Sequence, residues 1–156
     1  MRIRVIAVGT RMPAWVDQAF TDYTRRLGTA LPLALTEIPA APRKPGGESA
    51  RPAELEGRRL LRELRAGDFV AVLDERGQEL STRELATWLA GRMRDGRDLS
   101  FVIGGPDGLA PEVRARGDFT LALSRLTLPH AFARVLLAEQ IYRAHTVLAG
   151  HPYHRE

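Results

Sequence analysis

Short apolar runs rich in β-branched residues alternate with longer stretches in which apolar residues recur every three or four positions. Repeated β-α-β units and a mainly parallel sheet produce this pattern. The runs fall at residues 3–8, 33–38, 69–73, 99–103 and 119–123, and five such strands fit a doubly wound sheet with helices on both faces. After the first run, Val16, Ala19, Phe20, Tyr23 and Leu27 share a helical face that starts near Pro13 and stops at Gly28. Leu55, Leu60, Leu61 and Leu64 predict a second helix over about residues 53–66, with Gly57 as a weak point. The third helix is better marked. Ser81 and Glu84 form a capping box, Leu80 and Leu85 stand at hydrophobic-staple positions, and Leu85, Trp88 and Leu89 make the buried stripe. A short helix follows Pro111 and ends by Gly117. A long final one carries Leu137, Ile141, Ala144 and Leu148 on one face and is closed by Gly150 and Pro152.

The length of 156 residues and a hydrophobic fraction of 44% suit one domain, residues 1–156, with a sizeable core. Cysteine is absent, which removes disulfides, thiolate zinc sites, iron–sulfur clusters and thiol nucleophiles together. The apolar run from Val5 to Val8 is too short for a signal-peptide core, and no stretch is long enough to span a bilayer, so a soluble cytoplasmic protein is expected, with no membrane partner.

A net charge of +4 favours contact with polyanions such as nucleic acid. Of the 23 basic residues only Lys44 is lysine; codon bias explains most of the arginines, whose planar fork nevertheless suits phosphates and base edges. Residues 39–52 hold four prolines, two glycines and the cations Arg43, Lys44 and Arg51, so they read as a mobile basic connection. Such a segment is a plain linker or an arm that meets RNA phosphates.

In an open α/β sheet ligands lie beyond the carboxyl ends of the strands. Those ends are Gly9-Thr10, Leu73-Asp74-Glu75, Gly104-Gly105-Pro106-Asp107-Gly108 and Ser124-Arg125-Leu126-Thr127-Leu128-Pro129. Neither the dinucleotide-binding glycine fingerprint nor a P-loop occurs, which disfavours dinucleotides and nucleoside triphosphates. Gly104 and Gly105 remove side chains where a flat ligand could approach, although an unliganded strand-to-helix turn uses the same residues. The loop from Ser124 to Pro129 mixes apolar and hydroxyl groups with few charges, as suits an adenine and ribose; ordinary strand-exit packing is the alternative.

At the C-terminus, His151-Pro152-Tyr153-His154-Arg155-Glu156 places two of the four histidines where most chains fray. A metal held by His151, His154 and Glu156 is disfavoured, because nothing else supplies a convincing ligand set and the spacing does not fall on an established helix. Arg143 follows Glu139 by four residues, the spacing of an ordinary helical ion pair. His130 and His145 read as partly buried hydrogen-bonding residues, with His130 beside the candidate cofactor loop.

Four of these motifs, taken in order, resemble the SPOUT superfamily of methyltransferases, and within it the bacterial large-subunit rRNA pseudouridine-N3 methyltransferases. They are Ala7-Val8-Gly9-Thr10-Arg11-Met12-Pro13, Ile103-Gly104-Gly105-Pro106-Asp107-Gly108, Leu126-Thr127-Leu128-Pro129-His130 and the final hexapeptide. Asp107 replaces a glutamate of the family pattern, a like-charge change. The resemblance implies a C-terminal trefoil knot, a homodimer, and S-adenosylmethionine held by Leu73, Gly105, Ser124, Arg125, Leu126, Thr127, Leu128 and Pro129. It also implies a substrate side made by Arg143, Tyr153, His154 and Arg155, acting on N3 of a pseudouridine in large-subunit rRNA within assembled ribosomes.

Methyl transfer needs in-line placement and loss of the imide proton. His154 could take that proton directly or through water, and Arg143 or Arg155 could stabilise charge on the adjacent carbonyl oxygens. A tail folded back over the cofactor loops would stack Tyr153 on the splayed base. The competing expectations are a SPOUT enzyme for another RNA position and a non-catalytic ribosome-binding assembly factor.

Overall fold

The computed structural model describes residues 1–47 and 50–154, apart from the side chains of Ala50 and His154. Five parallel strands form one sheet in the order β2-β1-β4-β3-β5: β1 (Ile3–Val8), β2 (Leu33–Ile38), β3 (Phe69–Glu79), β4 (Leu99–Ile103) and β5 (Phe119–Ala122). The helices are α1 (Ala14–Leu27), α2 (Ala50–Glu63), α3 (Thr82–Asp95), α4 (Pro111–Arg116) and α5 (His130–Leu148), and a 3₁₀ turn (Pro152–His154) follows.

Because side chains alternate across a strand, the central strands feed two cores. Ile3, Val5, Ala7, Leu99 and Phe101 face one side, where Phe20 and Leu27 of α1, Leu85 and Leu89 of α3 and Leu137 and Ile141 of α5 pack. Ile6, Val8, Val70, Val72 and Val102 face the other, against Leu60 of α2 and Val113 of α4. The expected α/β sheet with helices on both faces is thus present. So is the capping box: Ser81 N donates to Glu84 Oε2 at 2.7 Å and Glu84 N donates to Ser81 Oγ at 3.3 Å.

Several boundaries differ from the sequence expectation for physical reasons. Strand β3 continues from Leu73 to Glu79, and its pairing with β5 shifts register so that both Leu73 and Gln78 lie opposite Leu121. Gly77 permits this passage, since a Cβ there would lie 2.7–2.8 Å from the backbone of Leu121 and Ala122. Helix α2 begins three residues early and ends at Glu63, with Pro52 in its first turn, where the missing N–H costs nothing. Gly57 is a packing device, because a Cβ there would meet Ala110 Cβ at 2.8 Å and Val113 Cγ2 at 3.2 Å. Leu55 and Leu148, placed on buried faces by their spacing, are 37% and 42% exposed.

The first part of the connection after β2, residues 39–43, is tied to α2 and to the turn after β4. Ala41 is buried, its N–H donates to Glu56 Oε1, and Arg43 is held by two carboxylates. Arg43, one of the three cations of that segment, is thus already paired within the chain, while residues 48 and 49 of the segment lie outside the described residues. At the opposite edge, Asp68 is buried and accepts from Arg4 Nη2 (2.6 Å) and Ser100 Oγ (2.7 Å). Burial alone would raise the Asp68 carboxyl, but the hydrogen bonds from Ser100 and Arg4 hold it below its ordinary value.

Candidate active site

Parallel pairing brings the candidate cofactor residues to one edge. Val72 lies opposite Val102 and Leu73 opposite Leu121, so the carboxyl ends of β4 and β5 stand on either side of β3 at Leu73, spanning two strand spacings or about 10 Å. Leu73 is half-buried, Gly105 begins the turn after β4, and the loop after β5 presents exposed Arg125, Leu126, Thr127 and Pro129 with half-buried Ser124 and Leu128. Ser124 Oγ accepts from Leu126 N at 2.9 Å, which tightens the loop. Leu126, in the same loop, is 73% exposed. One cation among six residues, an exposed apolar side chain and accessible backbone fit a nucleoside sulfonium better than a polyphosphate.

The Gly105 turn is built by its own residues. Gly108, at φ 77°, donates its N–H to Gly105 O at 3.0 Å, and a Cβ on Gly104 would strike Gly108 at 2.9 Å. A Cβ on Gly105 would lie 2.7 Å from Glu56 Oε2 and 3.3 Å from Arg43 Nη2. These glycines therefore serve internal packing as well as any ligand.

Sequence reasoning missed the polar group under the end of β1. Arg134 is fully buried, one turn into α5; its Nη2 donates to Val8 O (2.8 Å) and Gly9 O (2.7 Å) and its Nη1 to Glu37 Oε2 (2.7 Å). An arginine set in the apolar run Ala131-Phe132-Ala133-Arg134-Val135-Leu136-Leu137 was the available signal. His130 lies beside it, and a Cβ on Gly9 would come 3.5 Å from His130 Nε2. Burial, then Arg134 and Arg43, push the His130 imidazole below its ordinary value.

The substrate-side residues gather elsewhere on α5. Arg143 Nε donates to Glu139 Oε1 at 2.8 Å, as its spacing suggested. Tyr153 Oη donates to the same oxygen at 3.3 Å, while its ring meets Tyr142 edge-on at 4.7 Å and lies 5.1 Å from the Arg143 guanidinium carbon. Burial, then hydrogen bonding to Tyr23, raises the Tyr153 phenol well above its usual range, so it stays protonated. The tail reaches this position through a Schellman turn in which Gly150, at φ 66°, donates to Val147 O and His151 to Thr146 O. His154 lies in the 3₁₀ turn, and Arg155 falls outside the described residues.

Within one chain, Tyr153 is anchored away from the candidate cofactor loop. Glu139, which anchors Tyr153, is ten residues past Pro129, or about 15 Å along the helix axis. One chain thus separates the two halves of the expected site.

Comparison with known proteins decides the family. The family described as "Predicted SPOUT methyltransferase" matches residues 1–154. The chain belongs to the SPOUT methyltransferase family. Among its relatives, a protein named ribosomal RNA large subunit methyltransferase H from Thioalkalivibrio sulfidiphilus is 51% identical over 156 residues, covering all of both chains. One of the same name from Thiobacillus denitrificans is 50% identical, again over both full lengths. A solved structure described as a probable methyltransferase from Bordetella pertussis aligns with a TM-score of 0.57 at 20% identity, covering 92% of this chain and 95% of the other. A probable methylase family protein from Haemophilus influenzae gives a TM-score of 0.54 at 14% identity, covering 99% of this chain and 70% of its own. At those identities the two structures show the shared fold alone.

Proposed function

We propose that this SPOUT chain methylates N3 of a pseudouridine in large-subunit rRNA, using S-adenosylmethionine, on assembled ribosomes and as a cytoplasmic homodimer. The observation that carries the reading is the match along the entire chain, at about half identity, to relatives named as rRNA large subunit methyltransferases. No helix among the described residues is long and apolar enough to cross a membrane. The trefoil knot belongs to the same proposal.

When bound, S-adenosylmethionine supplies an electrophilic methyl group on a sulfonium. Leu73 and Leu128 would provide apolar walls, and the backbone of Gly105 and residues 124–129 would supply the polar contacts. Tyr153 and Arg143 would grip the uracil face, His154 would accept the imide proton, and Arg143 or Arg155 would stabilise the resulting charge on a carbonyl oxygen. The separation of tail and loop along α5 supports a site that two copies complete, the tail of one approaching the loop of the other.

Mixed dimers test this reading. Leu126→Arg, at an exposed position, and a chain lacking residues 153–156 should each be inactive on ribosomes, whereas their coexpressed mixed dimer should recover methyl transfer. Folded, dimeric variants that fail to complement would overturn the shared site.

A further inference from the structure

The turn that follows β4 is held from behind by side chains that no proposed step uses. Glu56, 1% exposed on α2, accepts from Ala41 N (2.9 Å), Arg43 Nη1 (2.9 Å) and Arg43 Nη2 (3.2 Å). The third nitrogen of the same guanidinium, Nε, donates to Asp107 Oδ2 at 2.8 Å. Asp107 stands inside the turn that closes through the bond from Gly108 N to Gly105 O. One planar cation therefore joins a buried helix carboxylate to the turn. The empty Cβ position of Gly105 is where Glu56 and Arg43 press closest, with Val8 Cγ1 completing the wedge at 3.2 Å.

We propose that Arg43 is a positioning residue, which, clamped between Glu56 and Asp107, fixes the turn from Gly104 to Gly108 in the shape that receives the cofactor. This rests on the reading above that Gly105 belongs to the cofactor site. Arginine is required because the clamp uses all three guanidinium nitrogens in a fork that a lysine ammonium cannot reproduce. The two ion pairs divide the roles. Glu56 is buried, so its pair anchors Arg43 to the α2 layer, whereas Asp107 is 27% exposed, so its pair adds little to global stability while setting the turn.

The test uses the full-length dimeric protein with S-adenosylmethionine as the probe. In calorimetry Arg43→Met should raise Kd about tenfold and Arg43→Lys should recover little of that loss, since the fork is missing. Asp107→Asn should raise Kd about threefold with an almost unchanged melting temperature, and Asp107→Glu should restore it. In methyl transfer to ribosomes the KM for S-adenosylmethionine should rise in step while kcat at saturating cofactor stays near wild type, a split that general destabilisation would not give. Hydrogen exchange separates the two possible failures. Cofactor that leaves residues 104–109 unprotected in the wild type would overturn the site reading and this proposal with it. Protection of those residues, combined with wild-type affinity in both Arg43→Met and Asp107→Asn, would overturn the proposal alone.

Discussion

Replacing Arg134 with methionine keeps most of the side-chain stem but deletes the guanidinium that ties α5 to the ends of β1 and β2. Three hydrogen bonds of 2.7–2.8 Å disappear, to Val8 O, Gly9 O and Glu37 Oε2. Val8 and Gly9 are buried, so water does not readily replace the lost donor, and each orphaned acceptor costs roughly 1–3 kcal/mol. Glu37, with its side chain 33% exposed, can turn to water, so its share is small. The total comes to about 4 kcal/mol, within the range for breaking a buried pair. For a chain of this size that lowers the melting temperature by about 10 °C. Urea unfolding and thermal scans of the dimer at fixed concentration would measure both. Arg134→Lys should recover part of the loss, because an ammonium reaches one or two of the three acceptors. A loss below about 1 kcal/mol for Arg134→Met would refute the claim that this arginine is the bolt between α5 and the sheet.

Asp68→Asn should cost about 3 kcal/mol, because it leaves the Arg4 guanidinium without its carboxylate at a nearly closed site. The folded Asp68 carboxyl is depressed, so the stability it contributes is present above the ordinary carboxylate value and is lost as pH falls through the folded value. The gap between wild type and Asp68→Asn in urea titrations should therefore close toward low pH, and a gap independent of pH would contradict the assignment. For His130 the sign is that of a depressed imidazole. The folded state resists its protonation, so acidification through the ordinary histidine range should lower stability, and His130→Gln should lessen that loss. An NMR titration placing His130 above the ordinary imidazole value would sink this prediction.

The architecture was legible wherever local chemistry and tertiary packing agree. Alternating apolar runs located all five strands, and Ser81 with Glu84 marked a helix start that the structure reproduces bond for bond. Sequence reading faltered where a residue's reason lies in a distant neighbour. Gly57 looked like a helix defect until Ala110 and Val113 were placed against it, and Gly77 gave no hint that β3 runs on past Leu73 along β5. Residues 39–43 read as loose because prolines and cations dominate locally, while the partners that hold Ala41 and Arg43, namely Glu56 and Asp107, lie up to 64 residues away. The candidate site followed the same division. Its loops were visible as strand ends, but Arg134 and its acceptors come from three separate elements, and the 15 Å or so between tail and loop is a property of α5 that motif order does not encode.

The most direct test is to incubate the purified protein with methyl-labelled S-adenosylmethionine and, in parallel, assembled ribosomes, separate subunits and free rRNA, and to map any label by mass spectrometry. The account predicts one methyl group on N3 of a single large-subunit pseudouridine, with assembled ribosomes as the preferred substrate. A methyl group at another RNA position would keep the enzyme class and overturn the substrate. Ribosome binding with no transfer under any condition would contradict the account itself and leave an assembly factor in its place.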